Sequence, residues 1–201
     1  MPRTRTVAIA LAVVGLVVSG AVAAPGRSLP ATARTSGTLP GELKGPAPWP
    51  ANQDRLEERL AALGLPALAQ EGLELHIHAH LDVFVSGKRV RVPAGIGIGD
   101  GFISQLHTHD TSGIIHVESP TVRPFTLGQF LGVWGVRFRS HCLGGYCVAG
   151  NKLLRVFANG RPVASPARLP ISSHEEIVVA FGTKAQLSRP MPKRYAFPSG
   201  L

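Results

Sequence analysis

A chain of 201 residues with a formal charge of +9 is long enough for one domain with a real core plus extensions. Its 21 Lys and Arg are dispersed and no block of them interleaves with stacking aromatics, which argues against nucleic acid and leaves an arginine-rich surface or contact with an anionic cell envelope. Two cysteines are too few for a disulfide-dense scaffold.

The chain opens on Arg3 and Arg5, an apolar run over 7–18 and the small-residue site Ala21-Val22-Ala23. That pattern predicts a secretory signal peptide over residues 1–24, because the run is short for a ~30 Å hydrocarbon core. No later run approaches spanning length, so no transmembrane helix is expected in the mature protein. Without Arg3 and Arg5 the basic residues number 19 against 12 acidic ones, a charge of +7. Residues 25–50, rich in Pro, Gly and Ala, read as a linker, and 51–201 as a single domain.

Leu56, Leu60 and Leu63 share a helical face, with Asp54, Glu57 and Glu58 early and Gly64 and Pro66 after. This predicts a short accessory helix over 52–63. Residues 75–85 alternate strictly: Leu75, Ile77, Ala79, Leu81, Val83 and Val85 on one face, His76, His78, His80, Asp82 and Phe84 on the other. The turn Ser86-Gly87-Lys88 makes this a hairpin with 89–92. The glycine-rich stretch 94–101 reads as a loop, since the phosphate-cradling GxxxxGK[ST] is absent. A second hairpin, 105–109 with 114–118, turns at Asp110–Gly113. Thr126 then caps a helix over 127–134, with Leu127, Phe130, Leu131 and Trp134 inward.

Residues 141–150 read as a glycine-rich loop holding Cys142 and Cys147. In an oxidising compartment an isolated pair predicts a disulfide, with a thiolate metal pair as the competing reading. A strand over 153–158, the turn Asn159-Gly160, a last strand over 177–181 and a proline-rich coil tail complete the chain. The order suits an α+β fold: a small, mostly antiparallel sheet of hairpins with one packed helix, with the β-grasp order as a topology guess.

Six of the eight histidines fall within residues 75–118. Neutral imidazole is the commonest protein ligand for transition metals. Strand alternation puts His76, His78 and His80 on one face, about 6.5–7 Å apart per step. In the second hairpin, a turn centred on Thr111-Ser112 sets His107 opposite His116, with His109 on the same face. A slip of one residue would turn His116 away. The six histidines are candidate metal ligands, and Asp82, Asp110 and Glu118 candidate orienters or bases beside them. A hydrogen-bonded histidine network without a cation is the blander alternative. His141 and His174 are isolated and read as surface or loop residues.

No methionine or cysteine is placed for a blue-copper site, and neither the C₂H₂ finger pattern nor HExxH occurs. The ligand set suits Zn(II), Cu(II) or Ni(II), with Cu(II) favoured by affinity order. Because protons compete for imidazole nitrogen, affinity is expected to fall below about pH 6.5.

The blocks HIHAHLDVFVSGKRVRVPAGIGI, LHTHDTSGIIHVESP and FTLGQFLGVWGV resemble a family of uncharacterised secreted bacterial proteins, the similarity running from about Asn52 to Leu201. The resemblance implies export and a coherent domain without naming a reaction. The leading functional reading is an exported protein that binds one transition-metal ion, copper or zinc, for sequestration or delivery. The alternatives are a His₃ metalloenzyme acting on a small substrate and a metal-free envelope interaction module.

Overall fold

The structure, a computed structural model, describes Met1 and residues 37–201. The expected signal peptide, apart from Met1, and the first part of the expected linker therefore lie outside the described residues. The remainder of the expected linker, 37–50, is not a spacer. Leu39 and Trp49 are buried, Trp49 stands edge-on to Trp134 and Tyr146, and Leu43 bridges to Val136. Isolated apolar anchors between prolines have no period, so their burial is decided by the partner surface alone.

Helix α1 (Leu56–Ala62) buries Leu56 and Leu60, and Gly64 (φ 67°) follows its C-terminus. It is part of the core rather than an accessory. Its fully buried Arg59 donates to the carbonyls of Pro40, Asn52 and Asp54, so the guanidinium ties the 37–54 segment to the helix. Strands β1 (Ala67–Leu68), β2 (Leu75–Val85), β3 (Lys88–Val90), β4 (Ile103–Ser104), β5 (Leu106–His107) and β6 (Ile114–Ser119) precede helix α2 (Leu127–Trp134). Thr126 caps α2 in a capping box with Gln129, and Gly135 (φ 82°) closes it. Then come β7 (Phe138–Arg139), β8 (Cys142–Leu143), β9 (Tyr146–Cys147), β10 (Lys152–Ala158), β11 (Arg161–Pro162), β12 (Glu176–Thr183) and the one-turn α3 (Lys184–Leu187).

The main sheet runs β11-β10-β12-β2-β6-β5, with β3 paired to β2. The hairpins β2–β3 and β10–β11 turn on Ser86-Gly87 and Asn159-Gly160, each pair at positive φ, as primed turns require. The hairpins alone do not make the sheet. It is joined at its centre by β12 lying parallel to β2, Glu176 beside His80 through Phe181 beside Val85. First and last long strands parallel in the middle, with hairpins outside and one helix between them in sequence, is the β-grasp order. The fold is mixed α+β, as expected.

Ala79, Leu81, Val83, Leu106, Ile115, Val117, Ile177 and Val179 join Phe130, Leu131 and Trp134 of α2 in one core. The other face of the sheet carries the histidines. It is partly covered by the tail, where Tyr195 stacks on His80 (3.8 Å between ring centres) and Phe197 on His174.

The expected loop at 141–150 is instead part of a three-stranded meander, β7-β8-β9, in which Cys142 and Cys147 are directly paired and form a disulfide. Gly144 (φ 53°), in the turn between β8 and β9, packs so closely under Trp49 that a Cβ there would lie 2.2 Å from its ring. A loop this short has a chain-entropy contribution of roughly 2 kcal/mol. Replacing both cysteines by serine is expected to lower the melting temperature by roughly 4–8 °C and leave metal binding unchanged. Thermal melts and metal titrations of the double variant check this; a lost metal site would contradict it.

Candidate metal centre

The pairing of β2 with β6 and of β6 with β5 sets His78, His116 and His107 in one row across three strands. His76 sits opposite Glu118 in the neighbouring register position. The expected His107–His116 pairing is therefore the observed one, and β2 extends the site by a third strand. His109 lies past the end of β5, in the loop, yet its ring reaches 4.5 Å from that of His116. Asp110 accepts the backbone N–H of Ser112 and so orders this loop.

Ring nitrogens approach in two pairs. His76 Nε2 and His78 Nε2 are 3.2 Å apart, and His107 Nε2 and His109 Nε2 are 3.1 Å apart. Donors on a tetrahedral ion with metal–nitrogen bonds of 2.0–2.1 Å stand about 3.3–3.4 Å apart. Each pair thus has the bite of a chelating site. Glu118 Oε1 stands 3.1 Å from His116 Nδ1, 3.2 Å from His76 Nε2 and 3.9 Å from His107 Nε2. Its second oxygen is buried with no hydrogen-bond partner. Two groups could hold a metal ion here: His76, His78, His116 and Glu118, and His107, His109, His116 and Glu118.

Second partners prepare the rings as ligands. His107 Nδ1 is 2.9 Å from the carbonyl oxygen of Ser104, which can only accept, so Nδ1 carries the proton and a neutral ring leaves Nε2 free. Glu118 orients His116 in the same way through Nδ1. Burial pushes His107 down to about 4, opposed by its bond to Ser104. Burial, then the neighbouring rings of His107, His109, His78 and His76, pushes His116 down to about 3. His78 is lowered by burial first. Both effects disfavour imidazolium and keep these nitrogens available to a cation. Burial, and then the nearby Glu71 carboxyl, pushes Glu118 up to about 7.

Glu71 was not legible in the sequence. Its Oε1 lies 3.3 Å from His109 Nε2 and 3.8 Å from His107 Nε2. It comes from an irregular segment that precedes β2, held against Ser119–Pro120 at Gly72, where a Cβ would approach the backbone to 2.2 Å. The one sequence signal is that glycine.

His80 does not join the site, contrary to the alternation argument. Its Nδ1 is 2.7 Å from Glu176 Oε2 and its Nε2 is 3.0 Å from the Ser112 carbonyl oxygen, so both nitrogens are engaged. With Asp82 and Glu176 it forms a separate buried trio, and Asp82 pairs with Arg89 rather than with the other histidines. We read this trio as structural, despite its ligand types, because no ring nitrogen is left over. His80→Gln is expected to cost roughly 1–3 kcal/mol, the scale for stranding a buried polar partner, and to leave metal stoichiometry unchanged. Denaturant unfolding with parallel metal titration checks this; a changed stoichiometry would place His80 in the centre.

His141 stays outside the cluster. His174 bonds through Nε2 to the Leu201 carbonyl oxygen, and its backbone N–H donates to His78 O. Among the described residues no helix is long and apolar enough to cross a membrane. No family model, curated protein or solved structure matches this chain.

Proposed function

We propose that this is an exported transition-metal-binding protein that sequesters or delivers copper or zinc through the His/Glu centre on β2, β5 and β6. One observation carries the reading. A buried carboxylate, Glu118, faces His107 and His116, which burial holds neutral, and its ion-pair partners among the described residues are all histidines. A buried carboxylate without a cation is costly, and a bound metal ion supplies that charge where the donors converge. Export rests on the leader pattern of residues 1–24 and agrees with the Cys142–Cys147 disulfide.

Delivery, in preference to permanent storage, is supported by the asymmetry of the site. His76, His109 and Glu71 are 48%, 45% and 43% exposed, while His107 and Glu118 are buried. Exposed ligands at the rim give an ion a stepwise route in and out. The experiment is calorimetric titration of Zn(II) and Cu(II) into chelator-stripped protein, with elemental analysis of protein taken from its native compartment. Bound metal at stoichiometric level supports the reading. A stoichiometry near zero for both ions makes the cluster structural and overturns it.

A further inference from the structure

We infer that the cluster is a two-ion centre, with Glu118 as the bridge and Glu71 as a ligand of the second ion; this rests on the metal-binding reading above. Seven side chains converge: His76, His78, His107, His109, His116, Glu71 and Glu118. A structural zinc ion takes four ligands, so the set exceeds what one such ion uses.

The arrangement divides the surplus. His76 and His78 close one group at 3.2 Å, and His107 and His109 close the other at 3.1 Å. The pairs come from β2 and from β5 with its following loop, and the β6 residues His116 and Glu118 lie between them. The ligand atoms gather within 4.8 Å of one another as two groups, one holding His76 and His78 and the other His107 and His109. Each pair therefore has its own ion, and only His116 and Glu118 belong to both groups.

Glu118 is suited to bridging. One oxygen lies 3.2 Å from His76 Nε2 and 3.9 Å from His107 Nε2, one atom of each pair, and the other oxygen is buried without a partner. A carboxylate has two oxygens and about four lone-pair sites, enough to serve both ions and His116. Glu71 reaches only the second pair, 3.3 Å from His109 and 3.8 Å from His107. It gives the second ion a carboxylate of its own. Bridged pairs of this kind stand about 3.5–4 Å apart.

The test uses the full chain. Zn(II) titration followed by elemental analysis after desalting is expected to give two equivalents. Two Cu(II) ions sharing a bridge couple magnetically, so the doubly loaded protein is expected to show an electron paramagnetic resonance intensity below half of its total copper. His76→Ala and His109→Ala, both at the exposed rim, are each expected to retain one equivalent with full resonance intensity. Glu71→Gln is expected to weaken the second equivalent about tenfold and leave the first unchanged. One equivalent in the unaltered protein overturns this inference and leaves metal binding standing; none overturns both. Two equivalents with full resonance intensity overturn the bridge, and an unaffected second equivalent in Glu71→Gln removes Glu71 as a ligand.

Discussion

Replacing His116 by alanine is expected to lower affinity for Zn(II) and Cu(II) by at least about 100-fold, more than any other single histidine replacement. The reason is position. His116 lies at the middle of the ligand row, opposite His78 on one side and His107 on the other, and is the one histidine common to both ligand groups. Loss of partners that merely orient a metal ligand already costs 10–100-fold, so loss of a shared ligand sets a larger minimum. His109→Ala removes a loop ligand from one group alone and is expected to cost less. His141→Ala serves as the control without effect. Because His116 is largely buried, His116→Gln is measured beside it, and the metal-free melting temperature of each variant separates misfolding from ligand loss. Equal weakening by His116→Ala and His141→Ala in folded proteins would mean that the ion binds elsewhere.

The pH dependence is expected to differ from that of solvated imidazoles. A site of ordinary histidines loses affinity below about pH 6.5, with one proton competing at each ring. Here His107 is held down to about 4 and His116 to about 3, so these rings stay neutral well into the acid range. Glu118 shifts the opposite way, up to about 7, and must lose its proton to meet a cation. Of these three groups, Glu118 is the one that takes up a proton between pH 7 and 4, contributing a fall in affinity of about tenfold per pH unit, and His107 and His116 add to it only below about pH 4. Competition with a chelator between pH 4 and 8 reads the slope. A drop of three decades per pH unit beginning at 6.5 would overturn this.

The stability of the metal-free protein has its own sign. For His107 and His116 the folded values lie below the unfolded 6.5. The unfolded chain therefore takes up the extra protons, and stability is lost as pH falls from 6.5 toward about 3. The raised value of Glu118 acts in reverse: its contribution is complete below 4.5 and is lost as pH rises through about 7. Between 4.5 and 6.5 the two oppose each other, and below 4.5 only the histidine loss remains.

Local pattern determined much of this protein by itself. Period-two alternation over 75–85 set the core and histidine faces of β2, because adjacent side chains in a strand must point oppositely. The expected register of the second hairpin, His107 against His116, is the observed one, although pairing stops at His107 and the connection runs over 108–113 instead of a four-residue turn. Thr126 and the spacing of Leu127, Phe130, Leu131 and Trp134 specified α2, cap included. Tertiary structure alone decided what had no local period. The parallel seam of β12 with β2 joins segments far apart in sequence. That seam removes His80 from the histidine row by setting Glu176 beside it. Trp49 is buried against Trp134 and Gly144, and Leu39 against Gly132, all partners distant in sequence. Glu71 reached the rings because Gly72 admits the backbone of Ser119–Pro120. Alternation assigns a side chain to a face; which partner meets it there depends on how distant segments pack.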